Sequence, residues 1–462
     1  MDRRAFLKLA GGAAGVTTSA HIAAFAAKPS TDPLKLRIQT ARFKIRDVVT
    51  ENMVSTAPDA PPPVMRVKQG TRFIVDVTNA LTDPTAMHWH GIRVPNKMDG
   101  VPYLTQLPII ENETWRYDFT VGDAGTYWYH PHCMTMQQMA LGLTGLLIVE
   151  EHYDPGFDGE TALNLRDFRI GKDGQFLKLY SARKAARGGT LGTVMTANWQ
   201  QNPIYDHKPG SLVRLRIGAT DTTRVYRLSI EGADGKIIAM DGHPVREAVA
   251  WPTENELLVL GAGQRADLAL EMPAQEGKTV VLKHHSGMRS RTLATLRSVG
   301  QPLNRNLNEI AALPPNNVPD VDLGSSELIE LLLGWSPDGL KPNNGLCGSL
   351  GYTFWSINRK PWPGDAAKNM GPIAELKLGK SYVLRIRNES PNIHPFHLHG
   401  LVFRPLRSNQ RQLPSNWTDT ITVLRNEVVD IGLVADNSGD WALHCHVIEH
   451  QKTGLAGYIR VS

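Results

Sequence analysis

Alternation of apolar and polar positions is the dominant pattern along this chain. Arg72-Phe73-Ile74-Val75-Asp76-Val77, Leu212-Val213-Arg214-Leu215-Arg216-Ile217 and Tyr382-Val383-Leu384-Arg385-Ile386-Arg387 all come close to a period of two. That is the signature of a strand with one face buried. Each run follows a Gly-containing turn (Gln69-Gly70, Pro209-Gly210, Gly379-Lys380) and leads into a second turn at Thr78-Asn79, Gly218-Ala219 or Asn388-Glu389. Three such units, roughly evenly spaced, predict an internal repeat of one β-sandwich. Near the end of the first unit, Gly125-Thr126-Tyr127-Trp128-Tyr129-His130 is echoed in the third by Gly439-Asp440-Trp441-Ala442-Leu443-His444, whereas the second has Lys283-His284-His285-Ser286. That second-unit pair reads as exposed, or as the remnant of a lost site. Residues 301–320 are rich in Asn and Pro and read as a linker.

Length supports the division. The 462 residues exceed one ordinary domain, and at ~150 residues each about three are expected. The 41 Gly and 30 Pro are spread along the chain, which suits short strands joined by turns and argues against helical bundles. The expected units are 28–155, 156–315 and 316–462. No apolar stretch reaches the ~18 residues of a membrane span. Three cysteines, Cys133, Cys347 and Cys445, exclude a disulfide-dense scaffold. The formal charge of +5, part of it in the first 27 residues, is too small to imply a nucleic-acid partner.

The N-terminus reads as an address. Asp2-Arg3-Arg4-Ala5-Phe6-Leu7-Lys8 precedes a weakly apolar, Ala- and Gly-rich run to about Ala27, in which Ala24-Phe25-Ala26 is a small-x-small cleavage site. The paired arginines resemble a bacterial twin-arginine export signal over residues 1–27. The twin-arginine machinery is then a partner, and the expected location is the periplasm. That route carries folded proteins, which suits a chain loaded with its cofactor before export.

Histidine carries the candidate chemistry. Of 16 histidines, ten fall in four clusters: His88-Trp89-His90, His130-Pro131-His132, His394-Pro395-Phe396-His397-Leu398-His399, and His444-Cys445-His446 with His450. On a strand, residues i and i+2 share a face. Each His-x-His therefore aims two imidazoles at one point, and four converging pairs supply eight, enough for several metal ions. The same parity places a second site. Cys445 faces away from His444 and His446, and His394 stands an odd step from His397. His450 follows in a turn or short helix. Cys445, His394 and His450 make a His₂Cys set of the kind that holds blue copper. Eleven candidate ligands are too many for a four-ligand structural zinc site. By parity Trp89 turns away from the cluster and reads as packing. Cys133 and the following Met134, Met136 and Met139 read either as a soft Cu(I)-handling patch or as core, and Cys133 could pair with Cys347.

These four motifs, their order, and the spacing from His444 to Leu455 resemble the multicopper oxidases, the family of laccases and bacterial copper oxidases. Ala239-Met240-Asp241-Gly242-His243-Pro244-Val245 and Gly263-Gln264-Arg265-Ala266-Asp267 resemble its middle domain. The resemblance implies an all-β chain of three cupredoxin-like Greek-key β-sandwich domains, with a trinuclear site between the first and third. It implies four copper ions. His394, Cys445 and His450 would bind type 1 copper, and His88 and His397 type 2. His90, His130, His132, His399, His444 and His446 would bind the type 3 pair. Leu455 falls at the axial position and cannot ligate. Asp99 and Glu449 match proton-relay carboxylates of bacterial relatives; otherwise Asp99 is a turn residue before Gly100 and Glu449 a solvated helix residue. The implied reaction couples one-electron oxidation of a small reductant to four-electron reduction of O₂ to water. The reductant is a phenol or aromatic amine, as in laccases, or Cu(I), as in copper tolerance. A Met-rich insertion is missing among the 13 Met, which favours the former. The rival from another class is a copper-free exported scaffold, but such relatives have lost ligands that are all present here.

Overall fold

A computed structural model describes residues 25–26, 32–337, 345–365 and 370–462. Apart from Phe25–Ala26, the expected export signal lies outside the described residues. The three alternating runs form the same kind of central strand. Arg72–Asn79 pairs in parallel with Leu34–Phe43 and antiparallel with Thr114–Thr120. Leu212–Ala219 does so with Gly159–Phe168 and Arg265–Glu271, and Ser381–Asn388 with Glu327–Trp335 and Val428–Val434. The described strands form six sheets, two in each of the stretches 25–150, 159–298 and 327–461. The architecture is all-β, three cupredoxin-like Greek-key sandwiches.

Alternation explains the first of these strands directly. Phe73, Val75 and Val77 are buried, each such side chain contributing about 1.5–3 kcal/mol by leaving water. On the opposite face Asp76 sits across from Arg116 and accepts its guanidinium at 2.7 Å, a cross-strand pair. The equivalent strand of the second unit departs from the pattern: every residue of Leu212–Ala219 is buried. Its polar face is covered by the first unit. Arg214 pairs with Glu151 and Asp267, and Arg216 with Glu160 and Asp267, while Thr126 of the first unit donates to Asp267 at 2.6 Å. Such pairing offsets the cost of burying a guanidinium.

The first and third units share one continuous hydrophobic core, which includes Trp89, Tyr117 and Phe119 from one and Trp441, Leu443 and Leu455 from the other. Trp89 is fully buried there, edge-on to Phe73. The second unit has its own core. The shared core sets Met87–His90 and Gly125–Pro131 against His394–Leu398 and Gly439–Cys445. A disulfide between Cys133 and Cys347 also joins the two units, over 214 residues of sequence. Its sulfurs have no thiolate to offer, and Met136 and Met139 are packed beside Trp128 and Ile448. Cys133, Met136 and Met139 are therefore core, with Met134 half-buried beside them, and the Cu(I)-patch reading loses its thiolate. The His284-His285 pair is not an exposed pair either, since His284 is buried and its Nδ1 accepts the Arg227 N–H.

The expected linker, 301–320, is pinned rather than free. Asn316 is buried, donates to the Ala124 and Gly242 carbonyls, and accepts the Ala124 N–H.

Glu160 offers a test of the contact between the first two units. Burial pushes its carboxyl up, but Arg216 and Arg66 outweigh burial and bring it down to about 2. A carboxylate lowered on folding adds stability above its unfolded value, which is lost as pH falls toward the folded one. Glu160→Gln is expected to lower the urea midpoint at neutral pH, and the gap to wild type should close between about pH 4.5 and 2. A gap independent of pH across that window would contradict the pairing.

Candidate metal centre

The site is built on the strand Gly439–Cys445, in which Cys445 lies opposite Phe396 and His444 opposite His397. The Cys445 Sγ is 3.4 Å from His394 Nδ1 and 3.5 Å from His450 Nδ1, and those two nitrogens are 3.1 Å apart. His450 is presented by the short helix Ile448–Gln451. Its Nε2–H donates to the Arg187 carbonyl at 2.5 Å, and His394 Nε2 lies 2.8 Å from Ser390 Oγ. With the outer nitrogens so engaged, the inner ones converge on the sulfur. Two imidazole nitrogens and a sulfur this close make a donor set that fits one cation. Leu455 is fully buried, and its carbonyl accepts the Cys445 N–H.

On the other side of the strand lie eight more imidazoles in three groups whose ligand atoms are within 4.8 Å of one another: His88, His90 and His397; His90, His130 and His446; His132, His399 and His444. The protein holds one nitrogen of most of them. His88 Nδ1–H donates to the Asp99 carbonyl, His130 Nδ1–H to Pro131, His397 Nδ1–H to Asp419 and His444 Nδ1–H to Cys445. His399 Nδ1–H donates to the Asp99 carboxylate, and His90 is turned over, with Nε2–H toward Asp419 Oδ1. This anchoring selects which nitrogen stays free. The free ones are buried and lack partners among the described residues: Nε2 of His88, His130 and His397, Nδ1 of His90 and His132, and both nitrogens of His446. Unpaired buried polar atoms are costly. Burial and mutual repulsion hold most of these imidazoles well below their usual pKa, so they stay neutral and able to ligate. Burial alone pushes the Cys445 thiol up, so its thiolate requires a bound cation.

Two acidic residues organise this cluster from behind. Asp99 touches both His88 and His399. Asp419 touches His90 and His397 and takes both guanidinium nitrogens of Arg265, at 2.9 and 2.6 Å. Burial would raise Asp419, but Arg265 and His90 hold it well below the carboxylate range. Arg265 thus brings the middle unit to the cluster. Gly263 does the same with backbone: at φ +96° a Cβ there would stand 3.1 Å from both His90 and His446. Its carbonyl accepts the Trp128 indole N–H, and that ring stacks on His130. Glu449 is buried rather than solvated, and both the backbone N–H and the hydroxyl of Thr190 donate to it.

The donors fit copper. A lone thiolate with two imidazoles is a copper set, and imidazoles that are neutral, pre-oriented and unpartnered await a cation. Sequence reasoning missed Asp419, Ser390 and Arg187. Asp419 lies in Asn416-Trp417-Thr418-Asp419-Thr420, where nothing in the pattern distinguishes it from a turn residue. Arg265 was noticed only as part of a middle-unit motif.

Asp419→Asn leaves buried Arg265 with the Thr126 and Gly263 carbonyls and, among the described residues, Asp241 at 3.4 Å as its one remaining carboxylate. Urea unfolding of the metal-free protein is expected to show a loss of about 3–5 kcal/mol, the cost of stranding one partner of a buried ion pair. A loss under about 1 kcal/mol, ordinary for a point substitution, would contradict the role given to the pair.

Comparison with known proteins agrees with the geometry. Multicopper oxidase family models match residues 37–154 and 348–462. The multicopper oxidase MmcO of Mycobacterium tuberculosis is 29% identical, over 97% of this chain and 91% of that protein. The crystal structure of a multi-copper oxidase from Pseudomonas thermotolerans superposes with a TM-score of 0.84 at 34% identity, covering 95% of this chain and 100% of that one. A second, from Pseudomonas parafulva, gives 0.81 at 36% identity, covering 93% and 100%. With its folded units and its two sets of side chains able to hold metal accounted for, the chain belongs to the multicopper oxidases, copper-binding oxidoreductases.

Proposed function

We propose that this oxidase takes electrons singly from a phenol or aromatic amine and delivers four to O₂, giving water. The observation that carries the reading is the arrangement at residues 444–446. The Cys445 sulfur meets His394 and His450 on one side, while His444 and His446 lie in two different imidazole groups on the other. Four copper ions would be held: type 1 by His394, Cys445 and His450, type 2 by His88 and His397, and the type 3 pair by His90, His130 and His446 and by His132, His399 and His444. Bound copper would supply one-electron uptake at the thiolate site and multi-electron storage at the cluster. The backbone of residues 444–446 would give electrons a short bonded path between the two.

The chain's own residues do the orienting. Asp419 and Asp99 fix the imidazoles. Leu455, which shares the apolar core with Cys445, offers no donor atom there. Asp99 and Glu449 are the carboxylates we assign to proton delivery. Asp99 is supported by its contacts to His88 and His399, and Glu449 by its burial, which raises its carboxyl against the bonds from Thr190. An aromatic reductant is supported by the lack of a Met-rich insertion and by the packing of Met136 and Met139 into core. Export to the periplasm by the twin-arginine route is supported by Arg3-Arg4 and by the Cys133–Cys347 disulfide, a bond that persists in oxidising compartments.

The test is a visible spectrum, a copper count and parallel assays with a phenol and with Cu(I). An intense blue band, about four coppers per chain and efficient phenol turnover are expected. A colourless protein that consumes no O₂ overturns the reading, and a Cu(I) rate larger by several orders moves the substrate to the metal. Two variants sharpen the result. Cys445→Ser should lose the blue band and about one copper while the cluster ions remain. Leu455→Met should lower the type 1 potential in a redox titration, and no drop would exclude Leu455 from the axial position.

A further inference from the structure

The three side chains of the thiolate site are fully buried, and the outer nitrogen of each imidazole is engaged by Arg187 or Ser390. A reductant in solution therefore cannot touch a ligand. Among the described residues one aromatic side chain, Trp355, packs against both imidazoles, its ring 4.6 Å from that of His450 and 5.0 Å from that of His394. Trp355 is itself fully buried and is fixed at its edge, where its indole N–H donates to the Ala185 carbonyl at 2.8 Å. Its other neighbour is Trp335, the cross-strand partner, stacked at 4.2 Å with the ring planes 17° apart. Trp335 is 39% exposed. Both backbones belong to paired strands, so the stack is held by the sheet. A chain of ring contacts, stacked between the two tryptophans and tilted or edge-on at the imidazoles, thus runs from the surface to the buried site.

We propose that Trp335 is the docking platform for aromatic reductants and that the Trp335–Trp355 stack conducts their electrons to the thiolate site. The proposal rests on the reading of His394, Cys445 and His450 as the copper site that first accepts an electron. An exposed indole face binds a flat, electron-rich ring by offset stacking and excludes water from it. One electron would leave the docked ring, and a copper ion held by His394, Cys445 and His450 would supply the one-electron acceptor. A phenol releases its proton to solvent. No bond forms or breaks in either tryptophan, and neither is altered by turnover. The competing route runs through the Arg187 carbonyl to His450 Nε2 and involves no aromatic surface.

Two measurements test this. First, fluorine NMR of the metal-free, fluorotryptophan-labelled protein is titrated with guaiacol, the Trp335 signal being assigned by its loss in Trp335→Phe. That signal is expected to shift on titration, and Trp335→Ala should weaken guaiacol binding roughly tenfold, as loss of an aromatic contact does. Second, anaerobic bleaching of the blue band is followed by stopped flow with guaiacol and with ferrocyanide. Trp335→Ala should slow bleaching by guaiacol roughly tenfold or more while leaving ferrocyanide within about twofold and the type 1 potential unchanged. Trp335→Phe, which keeps a ring at the position, should recover most of the guaiacol rate. Equal guaiacol rates in wild type and Trp335→Ala, or a static Trp335 signal, overturn the proposal and leave the copper-site reading standing. A wild-type protein without a blue band removes both.

Discussion

The structure depends on the alternation of side chains along an extended strand. At residues 444–446 that alternation throws one sulfur to one side of a sheet and two imidazoles to the other. No other backbone conformation separates adjacent side chains so completely while leaving them joined by the shortest covalent path. Each neighbouring element is placed by this fact. His394–Leu398 must pair with Gly439–Cys445 so that His394 reaches the sulfur while His397 and His399 face the cluster. The helix Ile448–Gln451 must turn back at once to return His450 to the sulfur side. The first unit must share a core with the third so that its own two His-x-His strands meet the cluster.

Convergence on this scale opposes folding. Ten buried imidazoles and a thiol are expensive to desolvate, and many of their nitrogens are left without a partner among the described residues. The chain offsets part of this cost by spending the remaining nitrogens on backbone carbonyls and on Asp99 and Asp419, which fixes ring orientation before any metal arrives. The middle unit, which supplies no cluster imidazole, contributes the compensating charge through Arg265 and a close backbone approach at Gly263. The site is therefore a property of all three units, although its converging imidazoles and thiol come from two.

Much of this was legible in the sequence. Period-two runs at 72, 212 and 382 gave strands with equivalent pairing, and the His-x-His spacing with parity placed the imidazoles and the thiol on opposite sides. Most of what was hidden has a common physical cause. Arg214 and Arg216 read as a solvent face because a strand cannot announce that another sandwich will cover it. Glu449, matched to a proton-relay carboxylate with a solvated helix position as the alternative, is covered by Thr190 of the second unit, whereas His284, read as exposed, is buried within its own unit beside Tyr226 and Arg227. Asp419 and Arg265 are 154 residues apart, and only the packing of the second unit on the third reveals that they form one ion pair behind two imidazoles. Cys133 and Cys347 were a possible pair, but a Cα separation of 4.6 Å is a tertiary fact.

The central claim is that the side chains of residues 444–446 serve metal positions on two separate sides of one strand. Anomalous diffraction at the copper absorption edge, from crystals of the copper-loaded protein, addresses it most directly. The account predicts one copper peak at bonding distance from the Cys445 sulfur and a distinct group of peaks against His444 and His446 across the backbone. A single peak shared by the sulfur and a neighbouring imidazole, or no peak beside the sulfur, would contradict it.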